Sequence, residues 1–190
     1  MIYVIDNFVD QELFNISKEY LDKGEWVDHK AGNKSFYVQR SLESFNDYIL
    51  NKLSIKEGKP LRNILSFFRM SNNNLDTSWR IHADSKINGE EPDRAIVLCM
   101  SPRELEELHG TAFWEHDVYG STIPKDFTNE QFDKMITEDS EQIEKWRLAS
   151  VVGYEQNRLI SYPSNYFHSK YPNKSWKEGR EIFVMFYKYI

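Results

Sequence analysis

From residue 64 onward, the chain consists mostly of short apolar segments separated by polar, glycine, proline or asparagine turns. Each segment has the length of a strand and is rich in β-branched or aromatic residues, which favour a pleated sheet. Aromatic residues make up 15% of the chain, and large flat side chains also favour sheets and pocket walls. We therefore predict strands at 64–70, 79–84, 94–100, 111–116, 158–162 and 180–189.

Helical patterns accompany these strands. Asp10 can cap a helix that runs to about Leu21, and a second helix begins near Ser41 with apolar residues at helical spacing. A further helical stripe lies between the fourth and fifth predicted strands and consists of Phe132, Met135, Ile136, Ile143 and Trp146.

The order of these elements predicts the fold class. Helices followed by many short strands favour a mainly β protein with flanking helices, an α+β arrangement built on an antiparallel double-sheet roll. No repeat, linker or low-complexity tract divides the chain. We expect one domain over 1–190, with a helical part at about 1–60, the roll at about 61–190 and a helical insertion at about 126–149.

Composition and charge narrow the functional classes. The formal net charge is −6, from 30 acidic and 24 basic residues, whereas binding to nucleic-acid phosphates needs clustered Lys and Arg. A nucleic-acid partner is therefore disfavoured. The chain has no signal-peptide pattern and no apolar run of membrane-spanning length, so we expect a soluble, cytoplasmic protein without a membrane segment. The one cysteine, Cys99, lies in an apolar run and is expected to be buried.

The fragment His82-Ala83-Asp84 is a candidate metal-binding pair. Residues two apart on a strand project from the same face, so the imidazole and the carboxylate would point the same way. A neutral nitrogen and an anionic oxygen suit a divalent ion such as Fe(II). Taken alone, the triplet is better explained as an exposed pair at the end of a strand.

Two later residues change this interpretation. His168 lies in an aromatic-rich run, and Arg180 opens the most apolar predicted strand, on the same face as Ile182, Val184 and Phe186. An arginine buried with apolar neighbours is costly unless an anion meets it. The alternative is that Arg180 lies in solvent at the end of its strand.

These four residues, in this order, resemble the 2-oxoglutarate- and Fe(II)-dependent oxygenase superfamily, and the layout is most similar to its prolyl-4-hydroxylase-like branch. The resemblance implies a double-stranded β-helix, which is a jelly-roll fold, with O2 as the second cosubstrate. It also implies that His82, Asp84 and His168 are the catalytic metal ligands and that Arg180 pairs with the far carboxylate of 2-oxoglutarate. Arg180 follows His168 by 12 positions, a longer gap than is usual in the family, and Lys170 and Lys177 are alternative partners for this carboxylate.

The resemblance implies an oxygenase, with hydroxylation of a protein side chain, a peptide or a small metabolite as the expected reaction. Arg69, Trp79 and Trp114 are candidates for the wall of the substrate pocket, and ordinary sheet packing is the alternative for both tryptophans. Two other functions remain open. One is a cupin-like metalloenzyme that does not use 2-oxoglutarate, and the other is a catalytically silent roll that binds a ligand. The sequence carries no motif that indicates the substrate or the oligomeric state.

Overall fold

The computed structural model describes residues 1–31, 34–72, 74, 76–84, 86–102, 108–174, 176 and 179–190. The helices are α1 (Gln11–Lys23), α2 (Glu43–Glu57) and α3 (Asn129–Asp139), and a short 3₁₀ turn covers Ile143–Lys145. The strands are β1 (Tyr3–Ile5), β2 (Val27–Ala31), β3 (Lys34–Arg40), β4 (Leu61–Ser71), β5 (Arg94–Cys99), β6 (Gly110–His116), β7 (Trp146–Gly153), β8 (Leu159–Pro163), β9 (His168–Tyr171) and β10 (Arg180–Tyr189).

The strands of the described residues form two antiparallel sheets. The larger sheet has the order β1-β8-β5-β10-β4-β3-β2, and the smaller sheet has the order β7-β6-β9. From β5 to β10 the chain passes repeatedly from one sheet to the other, which is how a roll closes around its core. The predicted mainly β fold with flanking helices is confirmed, and the sheets form a jelly-roll core.

Strand β10 shows how the layers are held together. Ile182, Val184 and Phe186 belong to the apolar core between the two sheets. The alternate residues Phe183 and Met185 belong to a second core, in which the outer face of the larger sheet meets α1 and α2. Because neighbouring strand residues point to opposite faces, a strand covered on both sides must be apolar almost throughout, as β10 is.

The two N-terminal helices agree with the sequence pattern in different degrees. In α2, Phe45, Ile49 and Leu53 recur at helical spacing and are buried against the larger sheet. Helix α1 begins after Asp10, as predicted, but the Asp10 side chain makes no capping hydrogen bond. Helix α1 is turned toward the sheet through Phe14 and Leu21, and Ile16 is therefore 51% exposed.

Three predictions of secondary structure were wrong. In the part at about 1–60, described as helical, the β2–β3 hairpin at one edge of the larger sheet was missed. The helix of the insertion ends at Asp139, a 3₁₀ turn follows at Ile143–Lys145, and β7 begins at Trp146 and pairs with β6. Residues 79–84 form no ladder strand, and only His82 makes an isolated bridge. Cys99 is buried, as expected, and no helix among the described residues is long and apolar enough to cross a bilayer.

Candidate metal site and adjoining cavity

His82, Asp84 and His168 lie together at one end of the space between the sheets. Their nearest candidate ligand atoms all lie within 4.8 Å of one another. Nε2 of His82 is 3.7 Å from Oδ1 of Asp84, and Nε2 of His168 is 3.5 Å from Oδ2 of the same carboxylate. Donors that share an ion at about 2.0–2.2 Å lie within about 4.4 Å of each other, so the arrangement fits a single divalent ion after small side-chain rotations.

The hydrogen bonds of both histidines leave the same ring nitrogen available. Nδ1 of His82 donates to the carbonyl of Arg80 at 2.8 Å, and Nδ1 of His168 donates to the carbonyl of Tyr166 at 3.0 Å. Nε2 of His168 lies 3.1 Å from the Tyr162 hydroxyl oxygen, within hydrogen-bond distance. Burial, then the charges of His168 and Arg80, lowers the pKa of His82 well below its usual value. In both rings Nδ1 is engaged by a backbone carbonyl, so Nε2 is the nitrogen that faces the cluster and can bind a metal.

The segment before His82 is held by side-chain and backbone contacts from the residues that directly follow α3. The backbone N–H groups of Trp79 and Arg80 donate to the two carboxylate oxygens of Glu141, each at 2.9 Å. Arg80 has φ +46°, which a regular strand does not allow, and this explains why 79–84 was wrongly predicted as a strand.

From Ile81 to Asp84 the backbone is nevertheless extended, so that successive side chains point to opposite sides. Ile81 and Ala83 are buried in a core that α3 and the outer face of the smaller sheet share. His82 and Asp84, which alternate with these two residues, therefore face the cavity.

Arg180 lines the same cavity as the three candidate ligands. Its side chain is buried, with 6% of the residue exposed, and one terminal nitrogen donates to the Thr111 hydroxyl at 3.1 Å. The guanidinium lies over the rings of Trp176 and Tyr154, and its Nε has no hydrogen-bond partner. No carboxylate of the described residues pairs with it. A buried, uncompensated guanidinium fits an anionic ligand, and its fork matches a carboxylate.

Comparison with solved structures identifies the architecture. HygX from Streptomyces hygroscopicus, with nickel and 2-oxoglutarate bound, matches with a TM-score of 0.67 at 12% identity, over 98% of this chain and 82% of that one. The non-heme alpha ketoglutarate dependent epimerase SnoN from nogalamycin biosynthesis matches with a TM-score of 0.66 at 12% identity, over 98% and 78%. A Pseudomonas putida prolyl-4-hydroxylase matches with a TM-score of 0.57 at 13% identity, over 98% and 92%. This chain has the fold of the 2-oxoglutarate- and Fe(II)-dependent oxygenases.

At the level of sequence, no family model matches the chain and no curated protein matches it. The structural likeness therefore defines the oxygenase fold, and the assignment of individual residues rests on the geometry of this chain.

Lys170 and Lys177 are the alternatives to Arg180 as the partner of the far carboxylate of 2-oxoglutarate. Lys170 also lines the cavity, but its Nζ already donates to the carbonyls of Ser78 at 2.7 Å and Asn173 at 3.1 Å. It also lies 3.8 Å from Oδ2 of Asp76, and burial lowers its pKa to about 8. Lys177 lies outside the described residues. Arg180 is thus less occupied than Lys170, since its Nε has no hydrogen-bond partner and its terminal nitrogen bonds to a neutral hydroxyl.

The three candidate wall residues separate into two groups. Arg69 and Trp79 line the cavity. Trp114 does not line it: the ring lies in the core shared with α3, and its Nε1 donates to the Ser169 hydroxyl at 2.9 Å. The reason is alternation along β6, since Phe113 faces the space between the sheets and Trp114 must face outward. For Trp114, the alternative interpretation of ordinary packing describes the structure.

Sequence reasoning missed three residues that shape the site of this oxygenase fold. Tyr162 contacts His168, Arg80 supplies a cavity wall and a carbonyl for His82, and Glu141 holds the backbone that leads to His82. Tyr162 could have been found, because it shares a face of β8 with buried Ile160. Arg80 and Glu141 carry no pattern that singles them out.

Positive charge exceeds negative charge around the cavity. Burial, then the neighbouring charges of Arg80 and Arg180, lowers the pKa of Arg69 to about 9. Burial also raises the pKa of Asp84, against the effect of His168 and Arg80. A divalent ion would stabilise the Asp84 carboxylate, and a dianion would stabilise the arginines, so these residues fit a metal ion together with an anionic cosubstrate.

Proposed function

We propose that this protein is a non-haem Fe(II)- and 2-oxoglutarate-dependent oxygenase of the hydroxylase type. The observation that carries the proposal is the pairing, in one cavity, of a two-histidine, one-carboxylate cluster with the buried and uncompensated Arg180. A cluster of this composition with open positions is typical of non-haem Fe(II) oxygenases.

The proposed ligands are His82, Asp84 and His168. The Nδ1–H bonds of the two histidines to backbone carbonyls keep both rings oriented, so little rearrangement would be required when Fe(II) binds. When bound, Fe(II) with 2-oxoglutarate and O2 supplies the oxidising chemistry, and the overall reaction yields succinate, CO2 and an oxidised substrate.

Arg180 is proposed to bind the far carboxylate of 2-oxoglutarate. The Thr111 hydroxyl and the ring of Trp176 hold its guanidinium in place, so the fork is oriented before the cosubstrate arrives. The apolar side chains of Val97, Ile182 and Val184 line the same space and would exclude water from around the bound cosubstrate. This arrangement favours 2-oxoglutarate chemistry over a cupin-like metal site, which has no need for a buried arginine, and over a silent roll.

The reaction type is proposed as hydroxylation. Solved structures of this fold include an epimerase and a carbocyclase as well as a prolyl-4-hydroxylase, so the fold accommodates several oxidative outcomes. Hydroxylation is the simplest of these, because it requires no further reacting group from the chain.

The test is turnover of 2-oxoglutarate. Purified protein with Fe(II), O2 and 2-oxoglutarate should release succinate slowly even without its substrate, and the His168→Ala variant should release none. Asp133→Ala, at an exposed position of α3, is the matched control and should behave as wild type. Equal succinate release by His168→Ala and wild type would contradict the proposal, as would a metal-loaded protein that does not bind 2-oxoglutarate in calorimetry.

A further inference from the structure

A groove with a volume of about 580 Å³ opens beside the candidate metal site, within the ~300–1,000 Å³ range of small-molecule sites. The β2–β3 hairpin forms one side, through His29, Phe36 and Val38, and Phe132 of α3 also contributes to the lining. We call this space the hairpin groove. It shares six lining residues with the cavity of the candidate site: Phe67, Arg69, Arg80, His82, Asp84 and Phe186. A molecule in the hairpin groove would therefore lie next to the candidate metal ligands.

Most of the lining of the groove is apolar. Phe36, Phe67, Phe132 and Phe186 contribute aromatic rings, and Leu65, Val38 and Ile87 contribute aliphatic side chains. Such walls favour an occupant with an apolar body, since each buried apolar surface is removed from water.

Two arginines interrupt the apolar lining. The guanidinium groups of Arg69 and Arg80 lie 4.1 Å and 5.3 Å from the centre of the Phe36 ring, so both make a cation–π contact with the same aromatic residue. Neither arginine forms an ion pair in the part of the chain that the structure describes. Nε of Arg69 and one terminal nitrogen of Arg80 are buried without a hydrogen-bond partner.

The nearby carboxylates of Asp76, Asp84 and Glu141 act on the two arginines through space, but each also has other partners. Asp84 belongs to the candidate metal cluster, and Asp76 lies 3.8 Å from Lys170 and accepts a hydrogen bond from the backbone of Ser78. Glu141 accepts the backbone N–H groups of Trp79 and Arg80. If Arg180 binds 2-oxoglutarate, Arg69 and Arg80 are left as two adjacent cations that face an apolar groove.

We propose that the hairpin groove binds the substrate, and that this substrate is an apolar small molecule whose carboxylate, or another anionic group, pairs with Arg69 and Arg80. The inference rests on the proposed function in identifying the occupant as the substrate. The predicted affinity for apolar anions does not depend on it, because the charge and the lining of the groove belong to the chain itself.

The experiment measures binding of simple probes by calorimetry and saturation-transfer NMR. Octanoate and octyl phosphate are the anionic probes, and octanol and octylamine are the neutral and cationic controls of matched length. The protein is loaded with Ni(II) and saturating 2-oxoglutarate, so that the probes do not ligate the metal, and the series is repeated on metal-free protein. We expect both anions to bind at least tenfold more tightly than octanol, and octylamine to bind more weakly still. The stronger of the two anions identifies the type of anionic group.

Variants test the two arginines. Arg69→Gln and Arg80→Gln should each weaken octanoate binding by roughly ten- to a hundredfold, as expected for loss of a charge-assisted hydrogen bond. Arg62→Gln is the matched control, since Arg62 lies on the same strand, β4, and is exposed, and it should leave octanoate binding unchanged. Thermal melts and 2-oxoglutarate binding establish that each variant is folded.

Three results would overturn the inference. The first is equal affinity for octanoate and octanol, or no binding of either anion. The second is unchanged octanoate affinity in both arginine variants. The third is loss of 2-oxoglutarate affinity in Arg69→Gln as large as the loss of octanoate affinity, which would assign Arg69 to the cosubstrate. If the protein bound neither Ni(II) nor 2-oxoglutarate but metal-free protein bound octanoate through Arg69 and Arg80, the proposed function would fail while the anion site remained.

Discussion

His82 and His168 exchange a pair of backbone hydrogen bonds: the N–H of His82 donates to the carbonyl of His168 at 3.1 Å, and the N–H of His168 donates to the carbonyl of His82 at 2.8 Å. This isolated antiparallel bridge brings the two imidazole rings to a centroid distance of 4.5 Å. The candidate ligands are therefore positioned by direct pairing of their own backbones, and the site should form only when the roll has closed.

The first prediction concerns the metal. Asp84→Ala removes the one anionic donor of the cluster, so Fe(II) or Ni(II) binding should fall below detection in calorimetry and in metal analysis after dialysis. Asp133→Ala, an exposed carboxylate on α3, should retain full stoichiometry. Binding of one metal ion per chain by Asp84→Ala with wild-type affinity would place the metal elsewhere.

The second prediction separates the cosubstrate from the metal. Arg180→Ala should weaken 2-oxoglutarate binding by roughly ten- to a hundredfold, about 1.5–3 kcal/mol, because a charge-assisted pair is lost. Arg180→Lys should lie between Arg180→Ala and wild type, since a lysine keeps the charge but not the fork. Metal affinity measured without 2-oxoglutarate should stay unchanged in both variants.

Lys170→Gln is the comparison for this experiment, because Lys170 lines the same cavity with its donors already engaged. A larger loss of 2-oxoglutarate affinity in Lys170→Gln than in Arg180→Ala would reverse the assignment.

The third prediction concerns Glu141 as a positioning residue. Its carboxylate holds the backbone N–H groups of Trp79 and Arg80, and the carbonyl of Arg80 in turn orients the ring of His82. Glu141→Ala should lower metal affinity by about ten- to a hundredfold, the usual effect of losing a group that orients a ligand. Glu141→Gln should restore part of it, since an amide oxygen can still accept one hydrogen bond.

Glu138→Ala is the control for general effects on this region, because Glu138 is an exposed residue near the end of α3, shortly before Glu141. A merely structural role for Glu141 would lower the melting temperature without changing the metal affinity of the folded protein, and that result would contradict the prediction.

The fourth prediction concerns acid stability. Glu57, near the end of α2, accepts hydrogen bonds from the hydroxyls of Tyr3, Tyr187 and Tyr189 and lies 3.5 Å from Nε of Arg94. Burial opposes ionisation of Glu57, but these hydroxyls and Arg94 outweigh burial and keep its pKa below the usual value. The folded protein therefore binds fewer protons at this carboxylate than the unfolded chain does, so stability falls as the pH drops through and below about 4.5.

Glu57→Gln should lower the free energy of unfolding at pH 7 by about 1.5–3 kcal/mol, because hydrogen bonds to a charged group are lost. The difference between variant and wild type should shrink as the pH falls from 5 to 3. Urea unfolding at several pH values measures this directly, and a difference that stays constant over the range would show that ionised Glu57 does not stabilise the fold.

The sequence by itself determined the elements whose side chains are buried in a regular pattern. Strand β10 runs from Arg180 to Tyr189, as predicted, because both of its faces are covered and its central residues, Ile182 to Tyr187, are all apolar or aromatic. The buried face of α2 was also evident from spacing, since each turn places one apolar residue against the sheet. The spacing of His82 and Asp84 made them a candidate metal-binding pair, and the resemblance to the oxygenase superfamily, carried also by His168 and Arg180, implied the full set of candidate ligands.

Only the tertiary structure decided the elements that depend on a partner more than on their own pattern. Strands β2 and β7 lie at the edges of their sheets, and only one of the eight residues of β7 is buried, so neither carries a clear alternation. Glu141 reaches Trp79 across 62 positions of sequence, and Arg69 and Arg80 converge on Phe36 from separate segments. Local sequence encodes which side chains can be buried or can bind a metal, whereas contacts between distant segments arise only when the sheets close, and those contacts position the site and shape the groove beside it.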